Sequence, residues 1–156
     1  MPSFAQYEIV RELYRSGLYT GATARRAGTT DPEAFAVKEC HASAGVLGES
    51  RAKAMVHAFL ERAGVQRLAA AAGTHWAPIH EAGPSDEGAS YATDLYPRSA
   101  QKLVVGRVKL DGKSLGLIVG SVLSGLLELR QAGGRAHGNL KPSNVLIAGT
   151  GDAPLV

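Results

Sequence analysis

Cysteine is nearly missing from this chain: Cys40 is its only one, so no intramolecular disulfide can form and packing must hold the fold. The lack of a disulfide framework suits a reducing compartment, and the expected location is cytoplasmic. No run of five or more basic residues interrupts the sequence and the formal net charge is only +3, which gives no footing for nucleic-acid binding. The opening Met1-Pro2-Ser3-Phe4-Ala5-Gln6-Tyr7-Glu8 has no basic segment followed by an apolar one, so no export signal is expected. Long hydrophobic runs are also missing. The most apolar stretch, Leu115 to Leu129, is broken by Ser121, Ser124 and Glu128 and falls short of the roughly 20 residues a bilayer-spanning helix needs, so a core helix and no membrane span are expected. Finally, His41, His57, His75, His80 and Cys40 lack zinc-ligand spacing, and no GxSxG nucleophile elbow occurs.

What is present is the composition of a folded protein. Hydrophobic residues make up 45% and charged ones 20% of 156 residues, enough for one domain or part of one. Tyr7 to Leu13 alternates, with Tyr7, Ile9, Arg11 and Leu13 on one side, which predicts a strand with one buried face. Tyr14 to Gly21 reads as a turn-like stretch, Thr23 to Arg26 as a second strand, 27–32 as a loop, and Ala34 to Cys40 as a third strand. From Glu49 to Ala72 the apolar positions Ala52, Met55, Val56, Phe59, Ala63 and Leu68 recur mostly at spacings of three and four, predicting an amphipathic helix.

Two strand candidates follow, Trp76 to Glu81 and Ser90 to Leu95, joined by the turn-prone Gly83 to Gly88. A short helix is predicted near Ala100 to Val105 and a strong one over Ser114 to Ala132, stopped by Gly133-Gly134. The latter has one apolar face of Leu115, Ile118, Val119, Val122, Leu126 and Leu129 and a second stripe of Leu117, Leu123 and Leu127. A helix apolar on two sides is expected to be buried on two sides. There is no internal repeat, and Ala69 to Ala72 is the one low-complexity tract.

The segment His137-Gly138-Asn139-Leu140-Lys141-Pro142-Ser143-Asn144-Val145-Leu146-Ile147 closely resembles the catalytic loop of serine/threonine protein kinases, H-R-D-L-K-P-x-N followed by an apolar strand. The order of the preceding elements agrees with that family. The resemblance implies an α+β, protein-kinase-like fold: a small lobe of antiparallel strands with one helix over about 7–95, and the first helices of the helical lobe over about 96–156. It implies that Lys38, in its Ala36-Val37-Lys38 context, holds the α- and β-phosphates of ATP and that Ala36 lines the adenine pocket. It further implies a helix glutamate as the partner of Lys38, with Glu61 the first choice and Glu49 the second. Thr93-Asp94-Leu95-Tyr96 then corresponds to the hinge that meets adenine, with Thr93 at its inner edge.

Three departures qualify the resemblance. Where the family has G-x-G-x-x-G, this chain reads Tyr14-Arg15-Ser16-Gly17-Leu18-Tyr19, so the glycines that let backbone approach phosphate are not in place. The family's proton-accepting aspartate is replaced by Asn139 and its preceding arginine by Gly138. An amide is no general base, and that function supplies about a hundred- to ten-thousand-fold in rate. Lys141 and Asn144 are retained, leaving a γ-phosphate contact and a magnesium ligand. The sequence ends with Asp152-Ala153-Pro154-Leu155-Val156, before the D-F-G aspartate of the family, so the resemblance covers nearly the whole chain but about half a kinase domain.

The expected function is that of a pseudokinase: a kinase-like domain that binds ATP with Mg2+, or a protein partner, with little or no phosphoryl transfer. Two alternatives stand beside it, an active ATP-dependent serine/threonine kinase that tolerates Asn139, and an interaction module that binds no nucleotide.

Overall fold

The computed structural model describes residues 6–133 and 136–148. Gly134 of the expected Gly-Gly stop and the closing Asp152–Val156 lie outside the described residues. The chain forms two compact units, Met1–Arg67 with Ala77–Leu95, and Leu68–Trp76 with Tyr96–Val156.

The first unit is built on an antiparallel sheet of β1 (Tyr7–Ser16), β2 (Tyr19–Arg26), β3 (Phe35–His41), β4 (Ile79–Ser85) and β5 (Gly88–Asp94), in the spatial order β1-β2-β3-β5-β4. Helices α1 (Ala44–Leu47) and α2 (Glu49–Ala72) lie between β3 and β4 in the chain. The expected turn-like stretch 14–21 is almost all strand: Ser16 pairs with Tyr19, and only Gly17 and Leu18 make the turn. Gly17 has φ 58°, a conformation that a tight hairpin turn requires and glycine adopts without a β-carbon clash. The β4–β5 hairpin is equally tight, since Ser85 pairs with Gly88 and most of the expected Gly83–Gly88 loop is paired.

The core of this sheet is made of small side chains. Ala22, Ala24, Val37, Ala89 and Ala92 are buried, so each contributes little apolar area and aromatic contacts matter more. Tyr7 meets Phe35 edge-on with centroids 5.2 Å apart, Phe35 meets His80 at 5.6 Å, and the Arg26 guanidinium lies over both the Tyr7 and Phe35 rings.

Simple alternation fails in β1. Register shifts fall between Ile9 and Arg11 and between Glu12 and Tyr14, and each extra residue reverses the side-chain phase. Of the expected inward set only Tyr7 is buried; Ile9 is 50% and Leu13 44% exposed. On α2, Ala52, Ala63 and Ala69 are buried while Leu68 is exposed. Leu68 follows Ala63 by five positions, about 140° round the helix, and leaves the stripe.

The second unit pairs the short strands β6 (Arg98–Ser99) and β7 (Leu146–Ile147) and contains α3 (Ala100–Val105) and α4 (Gly112–Gly133). Ser99 Oγ caps α3 by accepting the Lys102 N–H at 3.4 Å, and Asp111 Oδ1 accepts the Ser114 N–H at 2.7 Å at the start of α4. The two-sided burial expected for α4 is contradicted. Ile118, Gly125 and Leu129 are buried, but Leu115, Leu117, Val119, Leu123 and Leu127 are exposed, so the whole second stripe and part of the first face lack a partner among the described residues. Over 18 residues its mean hydropathy reaches 1.4. By length and composition alone α4 is therefore able to cross a membrane, contrary to the shorter segment read from the sequence.

Candidate functional site

Strand register sets the surroundings of Lys38. Tyr14 of β1 pairs with Gly21 of β2, Gly21 with Lys38 of β3, and Lys38 with Tyr91 of β5. Directly opposed residues of antiparallel strands project to the same face, so these four form one row. Gly21 has no side chain to fill its place, and the Tyr14 ring lies there: a β-carbon on Gly21 would overlap Tyr14 Cδ1, Cε1 and Cζ. On the other side the Lys38 Nζ stands 5.7 Å from the Tyr91 ring centroid, a distance at which the ammonium is attracted to the aromatic face. Burial raises the Tyr14 hydroxyl above its ordinary value, opposed by the Lys38 charge. Burial also pushes Tyr91 up to about 12.

Helix α2 docks on this same face. Phe59 stacks on Tyr19 at 6.4 Å and lies 5.3 Å from the Tyr91 ring. Glu61, two positions further and about 200° round the helix from Phe59, is on the exposed side. Glu49 pairs with Lys53 at 2.6 Å, both side chains exposed.

One step along the row pattern, Ala36 pairs with both Thr23 and Thr93, which puts Thr93 on the Lys38 face. Thr93 is 3% exposed, and its Oγ1 is buried without a hydrogen-bond partner among the described residues. Such a group costs about 1–3 kcal/mol unless something outside the chain satisfies it. Asp94 Oδ1 lies 2.7 Å from His80 Nε2, and the Leu95 N–H donates to Ala34 O.

In the second unit the loop 137–145 is held by its own polar groups. Asn144 Nδ2 donates to Asn139 O at 2.8 Å, and the Asn139 N–H donates to His137 Nδ1 at 3.1 Å. Gly138 between them has φ 71°. Asn139 and Lys141 are exposed and Asn144 is half-buried, with Pro142–Asn144 forming one turn of 3-10 helix.

No family model matches this sequence, and no curated protein matches it. Structural likeness is clear. A crystal structure of the Mycobacterium tuberculosis PknI kinase domain matches 99% of this chain and 59% of its own, with a TM-score of 0.69 and 22% identity. A second crystal structure of that domain gives 0.68 and 21% over 97% of this chain and 57% of its own. A single-substitution mutant gives 0.67 and 22% over 97% and 58%. The chain has a protein-kinase-like fold. It spans less than two thirds of the length of those kinase domains, and the incomplete α+β architecture expected from its sequence is what the structure has.

On this kinase-like scaffold, Lys38, Ala36 and Thr93 share one face of the first unit, whereas Asn139, Lys141 and Asn144 share one loop of the second. Sequence reading placed Tyr14 where the family has its phosphate loop, but it missed the Tyr14–Gly21–Lys38–Tyr91 row and Phe59 against Tyr91. Their only signal was a two-residue hairpin turn at Gly17, which fixes the Tyr14–Gly21 pairing. It also missed a knot in the second unit, where Glu128 of α4 accepts from the backbone N–H groups of Thr74 and His75. Beside it, Trp76 Nε1 donates to Gly125 O at 2.8 Å and its ring lies 5.7 Å from that of His137.

Proposed function

We propose that this chain is a pseudokinase-type module, acting by binding ATP or a protein partner with little or no phosphoryl transfer. The observation that carries the reading is the loop Asn139–Asn144. It keeps an ordered polar framework, with Asn144 tied to the Asn139 backbone, yet an amide stands where a proton acceptor is needed. Binding apparatus outlasting the base is the signature of a domain that recognises without transferring.

The residues present fit part of a nucleotide. The unpartnered Thr93 Oγ1 beside Ala36 suits a polar ring, and the Lys38 ammonium suits phosphate. Asn144 is the residue we infer as a magnesium ligand. ATP would supply the anionic charge that Lys38 neutralises. The exposed Ile9, Val10 and Leu13 of β1 support contact with a protein partner, and the cytoplasm remains the compartment we infer.

Thermal-shift titration with ATP, with and without magnesium, tests this. A ligand of the native state raises the melting temperature by mass action. The expected result is a shift that Lys38→Ala abolishes, with no phosphate transferred to a generic protein substrate. Measurable transfer that Lys38→Ala removes would instead establish an active kinase.

A further inference from the structure

Tyr14 and Gly21 are complementary irregularities in one strand pair. A large aromatic ring sits on β1 directly opposite the one β2 position that carries no side chain, and it fills that space. Adjacent strands are about 4.8 Å apart, so Lys38 lies about two strand spacings from Tyr14. A tyrosine side chain lying across Gly21 spans most of that gap. The electrostatic influence of Lys38 on the Tyr14 hydroxyl is what this reach produces. With Tyr91 on the opposite flank and Phe59 tilted against it, the ammonium lies in a row of aromatic side chains.

We propose that Tyr14 is a built-in plug: while its ring is seated on Gly21 the Lys38 ammonium is closed to phosphate, and a nucleotide engages Lys38 only when the ring leaves the row. The plug rests on the reading above only in naming the nucleotide; the fit of the half-exposed Tyr14 ring onto Gly21 is a property of the hairpin itself. The seat is a contact surface, not a covalent link, and the energy of one aromatic contact corresponds to about a three- to tenfold change in an equilibrium.

Two substitutions unseat the ring by opposite routes. Tyr14→Ala deletes it, and Gly21→Ala expels it, because the added methyl takes the volume that the ring occupies. On the full chain, the rate of acetylation of each lysine by an N-hydroxysuccinimide ester is read by peptide mass spectrometry, with the exposed Lys53 as internal reference. Both variants are expected to raise Lys38 acetylation relative to Lys53 by about three- to tenfold and to enlarge the ATP-induced thermal shift. Unchanged Lys38 labelling in folded Tyr14→Ala protein overturns the plug, as does a measurable wild-type ATP shift equal to that of the variants. Faster labelling without an ATP shift in any variant upholds the plug and discards the nucleotide. Should Gly21→Ala fail to melt cooperatively, Tyr14→Ala decides alone.

Discussion

The carboxylate of Glu128 lies 2.7 Å from the imidazole Nδ1 of His75, and the same carboxylate receives the backbone N–H groups of Thr74 and His75. Residues 53 positions apart in sequence are thus fastened by one side chain, and Gly73 is part of the fit, since a β-carbon there would overlap the carboxylate. Burial acts to raise the Glu128 carboxyl, but the bonds from His75 and the two backbone groups outweigh it and hold the group below its ordinary value.

A carboxyl depressed in the folded state favours folding when ionised. Its contribution is complete above the ordinary value of 4.5 and is lost as pH falls through the lower folded value. Glu128→Gln is expected to cost about 1–3 kcal/mol at neutral pH and to flatten the acid limb of the melting profile. Melting temperatures measured from pH 7 down to pH 3 should converge for the two proteins at the acid end. Parallel profiles would show that the knot carries no titratable stability.

Asn144 should matter through its amide hydrogen. Both Asn144→Ala and Asn144→Asp remove the donor to Asn139 O, and each is expected to cost about 0.5–1.5 kcal/mol. Backbone hydrogen exchange over residues 137–145 should quicken in both. Protection retained in the aspartate variant would mean the loop is ordered by something other than this bond.

The exposed leucines of α4 predict self-association. Leu123→Glu with Leu127→Lys replaces two exposed apolar groups by an i,i+4 pair in the favourable order. Light scattering coupled to gel filtration should show a larger species for the wild-type chain and a smaller one for the double variant. Identical elution would clear α4 of responsibility.

Cys40 is 1% exposed, and burial raises its thiol above the ordinary value although a hydrogen bond from Tyr19 opposes this. Thiol reagents react with the thiolate, so native Cys40 should react on the order of a hundredfold more slowly than in denaturant, through opening of the sheet. A fast native reaction would mean that β3 is not sealed in the sheet.

Much of the fold could be read from residue pattern, because it depends on local periodicity. The long helices α2 and α4 and the strands at Lys38 and Thr93 come from spacing alone. What could not be read follows from events that leave no periodic trace. Two bulges in β1 interrupt its alternation beyond Ile9, and Leu13 falls within the second of them and emerges where alternation would bury it; Ile9, still in phase with Tyr7, is exposed all the same. Tyr14, Ser16 and Gly17 look like turn residues, yet the turn needs only Gly17 and Leu18. The loop around Asn139 is visible as a motif, whereas the Tyr14–Lys38–Tyr91 row requires three strand registers at once, and the Glu128–His75 contact requires tertiary packing.

Gly138 limits which substitutions the loop accepts. Its φ of 71° lies in the left-handed region, where a side chain such as arginine costs about 1 kcal/mol or more. Gly138→Arg would therefore strain the backbone before the new side chain met any partner, whereas Asn139→Asp would leave the backbone at 138 as it is. The conformation at 138 thus acts as a filter on variants of this loop, admitting changes at its neighbours more readily than a side chain at the turn itself.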